Sequence, residues 1–208
     1  MKTLFPPIEA YLAQLSPNNI TEKRKEKLNM ISEYIYKKLK QQEPVALNFI
    51  CTHNSRRSFL TNVWANVLAY HFKLPLIESY SAGTEATEIF SSCLEVLEEN
   101  GFQINRKSKV PVNPTYEIKF SEAAKKITDY SKSLAQQQLN QEFIAILTCD
   151  EANQACPMVP RAEIRFALPY QDPKSFDKLP NQKEAYRATN TQIATELLYL
   201  FNALAKIA

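Results

Sequence analysis

Glycine is almost missing from this chain: only Gly83 and Gly101 occur in 208 residues, where average usage would give roughly fifteen. A dinucleotide fingerprint needs three clustered glycines and a Walker loop needs two, so neither phosphate-binding motif is present. Histidine is scarcer than metal sites usually require, with His53 and His71 alone, and no metal or bound cofactor is expected. No apolar run approaches the roughly 18 residues that span a bilayer. The opening MKTLFPPIEAYLAQL is broken by Pro6, Pro7 and Glu9, which reads against a signal peptide and towards a cytoplasmic protein with no membrane partner. A formal charge of +3 is too small to point to nucleic acid. The four cysteines, Cys51, Cys93, Cys149 and Cys156, therefore suggest reactivity more than a disulfide framework.

What is present is an ordinary globular composition, 45% hydrophobic and 23% charged, enough for one domain with an appended segment. Residues 1–43 read as an N-terminal helical extension. Thr21 is placed to cap a helix with Leu28, Ile31, Ile35 and Leu39 on one face and a solvated charged face opposite, ended by Pro44. Residues 45–50 form a short apolar run, suited to a buried strand that delivers Cys51 to its end. From about Arg57, the residues Leu60, Val63, Trp64, Val67 and Leu68 keep helical spacing, with one face packing inward.

Further strands are expected at 76–81, 143–147 and 164–168, an inserted hairpin at 116–120 and 127–130, and a helix carrying Phe90, Cys93, Leu94 and Leu97 that stops at Asn100-Gly101. Cys93 belongs to the apolar face of that helix and is assigned to the core. A long final helix carries Ile193, Leu197, Leu200, Phe201 and Leu204. Strands alternating with helices imply an α/β fold with a parallel sheet.

The segment Cys51-Thr52-His53-Asn54-Ser55-Arg56-Arg57-Ser58 has a cysteine, five residues, an arginine and a serine between a strand and a helix. An arc of that length lets the backbone N–H groups of residues 52–57 converge on one centre, helped by the helix dipole. Arg57 supplies a planar fork for two oxygens, and Ser58 a hydroxyl for the sulfur. Cys51 in this setting is favoured as a nucleophilic thiolate. The bland reading is a small apolar residue after a buried strand. His53 either tunes the thiolate or simply faces solvent.

Attack on a phosphomonoester also needs an acid for the departing oxygen. Asp172, in Tyr170-Gln171-Asp172-Pro173, is the candidate, although Asp-Pro alone is a turn signal. Cys149 ends a buried strand and Cys156 follows seven positions on; by themselves they read as inert.

With Ser81-Ala82-Gly83-Thr84 and Asp172-Pro173, this loop resembles the low-molecular-weight protein tyrosine phosphatase family, and Thr148-Cys149 through Cys156-Pro157 is similar to its thioredoxin-coupled arsenate reductase branch. The resemblance runs from Val45 to the C-terminus, within a catalytic domain taken as 44–208. It implies a four-stranded parallel sheet flanked by helices, with the site at the strands' C-terminal ends. It also implies a substrate that is phosphate-like: arsenate or a phosphomonoester. On the arsenate reductase pattern, Cys51 attacks arsenate, Cys149 attacks the arsenic-bearing sulfur, and Cys156 draws the disulfide to Cys149 for thioredoxin to reduce. Tyrosine phosphatase action through a phosphocysteine at Cys51, with Asp172 as acid, is the alternative. A non-catalytic oxyanion- or partner-binding protein is a third. Seven helical positions span about 10 Å, beyond the roughly 7 Å a disulfide allows between Cα atoms, so the redox segment must unwind or start as a loop. His53, Arg56 and Lys174 depart from the family's usual residues, and 1–43 and 113–141 have no counterpart in its minimal domain.

Overall fold

The apolar run after Pro44 forms the centre of the molecule. In the computed structural model, which describes residues 3–108, 110–155 and 158–206, β1 (Val45–Cys51) is buried along its whole length. It pairs in parallel with β2 (Ile77–Gly83) on one side and β6 (Phe143–Leu147) on the other, and β7 (Ala162–Ala167) completes the order β2-β1-β6-β7. A strand with parallel neighbours on both edges and cover on both faces favours apolar residues on both faces, which is why 45–50 lacks alternation. The one polar residue of that run, Asn48, is buried and donates Nδ2 to Gln137 Oε1 at 2.7 Å.

Two helices meet over one face of this sheet. α3 (Arg57–His71) lies between β1, β2 and α6 (Gln182–Ala205). The one-faced packing expected of α3 needs correction: Phe59, Thr61, Asn62, Ala65 and Ala69 are all buried along with the predicted stripe. Its polar residues are accommodated by partners, as where Trp64 Nε1 donates to Asn190 Oδ1 at 2.8 Å.

The N-terminal 43 residues build α1 (Pro6–Gln14), a 3-10 turn (Pro17–Asn19) and α2 (Glu22–Lys40). Ile8, Leu12, Leu28, Ile31 and Ile35 join the same apolar cluster as β1, α3 and α6. Thr21 occupies the N-cap position of α2 but makes no side-chain capping bond. Nor is the charged face of α2 wholly solvated. Arg24 Nε lies 2.9 Å from both carboxylate oxygens of Glu196, which is 3% exposed on α6. Gly101, with φ of 98°, ends α4 (Ser91–Glu99), and a Cβ there would stand 2.5 Å from Pro7 Cβ. The extension thus closes on a position where a side chain would obstruct it. Ile8 is 0% exposed, and Ile8→Ala is expected to lower stability by about 2–5 kcal/mol in a denaturant titration.

The expected hairpin is a three-stranded antiparallel sheet: β4 (Tyr116–Lys119) pairs with β5 (Ile127–Asp129) and also with β3 (Gln103–Arg106). The sequence Gln103-Ile104-Asn105-Arg106 carries one apolar residue and is largely exposed, so periodicity gave no sign of β3. No helix among the described residues is long and apolar enough to cross a membrane.

Candidate active site

Cys51 is the last residue of β1 and Arg57 the first of α3, so the intervening arc must turn within five residues at the sheet's C-terminal end. Its carbonyls are held from outside. The Cys51 oxygen accepts from Thr84 N at 3.1 Å, that of Thr52 from Glu85 N at 2.8 Å, and that of Ser55 from Phe90 N at 3.1 Å. The His53 oxygen accepts from Ser131 Oγ at 2.8 Å and Thr87 Oγ1 at 3.4 Å. A trans peptide is planar, with its N–H opposed to its C=O, so fixing these oxygens outward aims the next residues' N–H groups inward. Among the described residues, none of the N–H groups of residues 52–57 has an acceptor. Unpaired donors converging at a helix start form a nest for an anion.

Asn54 turns the arc. Its φ is 48°, a left-handed conformation that asparagine tolerates better than most residues. Its side chain stabilises that turn twice, Oδ1 accepting from Lys132 N at 3.0 Å and Nδ2 donating to Ser58 Oγ at 2.9 Å. Ser58 Oγ lies 3.1 Å from Cys51 Sγ, and with Asn54 feeding its oxygen, the hydroxyl proton is free to point at sulfur. Gly83 backs the arc: a Cβ there would sit 2.6 Å from Thr52 O and 2.8 Å from Asn54 N. This is a close approach that only glycine permits.

Arg57 is 7% exposed and clamped at the mouth, with Nη1 donating to Tyr170 O at 3.2 Å and Nη2 to Asp172 Oδ2 at 2.5 Å. Asp172 is itself fixed, its Oδ1 accepting from Lys174 N at 3.0 Å at the head of the 3-10 turn Pro173–Phe176. Glu151 stands 3.7 Å from Arg57 Nη1. Its carboxyl is held below the usual range, first by its own backbone N–H and also by that guanidinium.

Cys149 is fully buried beside the loop, in one small apolar cluster with Cys51. Its sulfur is 3.5 Å from Thr52 Oγ1 and accepts from Ala152 N at 3.3 Å. Burial pushes its thiol above the ordinary range, opposed by Thr52, Ala152 and Arg57.

No protein-family model matches the chain, and no curated protein does. Solved structures do match. A low-molecular-weight phosphotyrosine phosphatase from Vibrio cholerae O395 is similar at TM-score 0.51 and 16% identity, over 76% of this chain and 95% of that one. A low-molecular-weight protein tyrosine phosphatase from T. tengcongensis gives 0.50 and 21%, over 78% and 98%. An arsenate reductase from Archaeoglobus fulgidus gives 0.51 and 17%, over 75% and 98%. The fold is that of the low-molecular-weight phosphatases.

Within this low-molecular-weight phosphatase fold, the site residues expected from sequence divide into two groups. Cys51 with Ser58, and Arg57 with Asp172, form two bonded pairs built on one loop, and Cys149 reaches that loop through Thr52. Asn54 supports Ser58 through Nδ2, while Ser55, His53 and Arg56 have their side-chain partners elsewhere. Ser55 Oγ donates to Glu88 O at 2.5 Å, and His53 Nε2 faces the Glu85 carboxylate at 3.7 Å. Arg56 turns its side chain away as well. Its guanidinium binds Asp177 Oδ2 at 2.6 Å and Tyr186 Oη at 2.5 Å and lies 4.1 Å from the centre of the Phe90 ring, so what it offers the ring is a backbone N–H. Cys156 lies outside the described residues. Cys93 is in the core, its thiol driven far above the ordinary range by burial. Sequence reasoning missed Asn113, Ser131 and Lys132, which come from the insertion to hold the loop.

Proposed function

We propose that this chain is a cysteine-thiolate enzyme acting on a tetrahedral oxyanion, and that its reaction is arsenate reduction. The observation that carries this reading is Cys149, whose sulfur is tied through Thr52 to the loop that ends β1 at Cys51. In the proposed sequence the Cys51 thiolate bonds to arsenic and displaces one oxygen, which leaves as water with a proton from Asp172. The Cys149 thiolate then attacks Cys51 sulfur. The sulfur–arsenic bond breaks, its electron pair stays on arsenic, and arsenite departs; the two electrons that reduce As(V) to As(III) are those lost by two thiols as they become a disulfide. Cys156 next attacks Cys149 and frees Cys51. A dithiol reductant of the thioredoxin type reduces the Cys149–Cys156 disulfide.

Residues 150–155 are helical in α5 (Asp150–Ala155), so of the two options for this segment, unwinding is the one the relay requires. Arg165 Nη2 holds Asn153 by its carbonyl and its side-chain oxygen, both at 2.5 Å, and that latch must open. The deciding experiment supplies arsenate with a thioredoxin system beside a generic aryl phosphate, and weighs the protein afterwards for a Cys149–Cys156 disulfide.

A second reading is supported by the Arg57–Asp172 pair: hydrolysis of phosphomonoesters through a phosphocysteine at Cys51, with Asp172 as general acid. Asp172→Asn keeps the side chain's shape and removes its proton exchange. It is expected to lower kcat for an aryl phosphate by about 10²- to 10⁴-fold, and an unchanged rate would count against Asp172 as the acid.

A further inference from the structure

We propose that Ser131, on the 113–141 insertion, is a positioning residue for the oxyanion ring: its hydroxyl sets the peptide between His53 and Asn54 so that the Asn54 N–H faces the bound anion. This deepens the reading of the Cys51 loop given above and rests on it.

Ser131 is 0% exposed, and its side chain makes two bonds of opposite sense. Oγ donates to His53 O at 2.8 Å and accepts from Thr87 N at 2.9 Å. A serine has one hydroxyl proton, and the Thr87 N–H on the acceptor side leaves that proton for His53. The His53 carbonyl and Asn54 N–H belong to one planar trans unit, so a donor outside the arc dictates which way the N–H inside it points. The neighbouring residue, Lys132, adds a second contact through its backbone N–H to Asn54 Oδ1 at 3.0 Å. The peptide entering residue 54 and the Asn54 side chain are therefore both held by consecutive residues from a segment 78 positions away in sequence.

The insertion is itself anchored. Asn113 grips the Ser131 backbone from both sides, Nδ2 donating to Ser131 O at 2.7 Å and Oδ1 accepting from Ser131 N at 3.1 Å. Gly83 N donates to Lys132 O and Leu134 N to Gly83 O, each at 2.8 Å, fastening the segment to the end of β2. Asp129 is 2% exposed and receives Asn62 Nδ2 at 2.9 Å, Ser81 Oγ at 3.0 Å and the Lys132 ammonium. A hydroxyl backed by this many contacts holds its direction when substrate charge arrives, which is the condition for donors to stabilise a transition state without reorganising.

The test measures binding of inorganic phosphate by calorimetry to full-length wild type, Ser131→Ala, Ser131→Thr and Asn113→Ala, with melting temperatures and aryl phosphate kinetics alongside. Ser131→Ala is expected to bind phosphate up to about tenfold more weakly, the scale of one hydrogen bond, and to lose kcat while KM changes less, because the ring grips the transition state more than the substrate. Ser131→Thr keeps the donor and is expected to restore both, while Asn113→Ala moves them in the same direction as Ser131→Ala. If Ser131→Ala lowers the melting temperature but binds phosphate as wild type does, Ser131 is merely structural and the inference falls. If wild type itself binds no phosphate, it is the reading of the Cys51 loop that fails.

Discussion

Cys149→Ser is expected to separate the two candidate reactions: steady arsenate turnover with a thioredoxin system falls by at least about 10⁴-fold, the scale of losing a nucleophile, while aryl phosphate hydrolysis changes by less than about tenfold. The first loss follows because a serine hydroxyl does not displace at sulfur, so arsenic stays on Cys51 after one encounter. The second effect is small because the hydrogen bond that Cys149 makes to the loop is a long one, to Thr52 Oγ1 at 3.5 Å, and one weak hydrogen bond is worth little. The wild-type pH profile should carry the same signature. Burial holds the Cys149 thiol above its ordinary value of 9.0, so only a small fraction is thiolate near neutrality. Arsenite release should therefore speed up as pH rises and still be climbing at pH 9, whereas hydrolysis, which bypasses Cys149, should not share that climb. Undiminished arsenate turnover in the Cys149→Ser protein would remove the relay.

The parts of the site legible in the sequence are those that local pattern specifies. A buried run at 45–50, then Cys51, then helical spacing from Arg57 locates a strand, a tight arc and a helix start, and the structure has β1 and α3 meeting there. Gly83 was legible as part of a motif, and its reason is steric, since a Cβ would strike the loop backbone. The clamp from the insertion left no such trace. Ser131 and Lys132 act through a hydroxyl and a backbone N–H, groups that carry no periodicity and no spacing relation to a loop 78 residues away.

Arg56 was legible as one of the arc's backbone N–H groups and as a departure from the family's usual residue. The destination of its side chain was not, because its partners Asp177 and Tyr186 lie 121 and 130 residues off. That placement carries an energetic logic. Two guanidinium groups aimed at one centre would repel each other before substrate arrived, whereas Arg56 over the Phe90 ring and against Asp177 finds its countercharge outside the ring. The extension was likewise read as a preface, because the burial of Arg24 against Glu196 depends on a helix at the other end of the chain.

Arg57→Lys is expected to lower kcat/KM by about 10²- to 10³-fold for both arsenate and an aryl phosphate, the effect of removing a preorganised oxyanion donor. The charge survives this substitution, so net electrostatics is not what the loss would measure. What changes is geometry. The guanidinium holds Tyr170 O with Nη1 and Asp172 with Nη2, and its remaining N–H groups keep a fixed plane in which two substrate oxygens can be met together. An ammonium offers three donors on a flexible stem with no plane to preserve. It can satisfy Asp172, or Tyr170 O, or one substrate oxygen, but not the paired set. Because Lys retains a cation beside Asp172, little change in melting temperature should accompany the loss, and weaker inhibition by inorganic phosphate should. A Lys variant within about threefold of wild type would show that the site needs only positive charge near the ring, and the planar fork at position 57 would no longer explain why an arginine closes the loop.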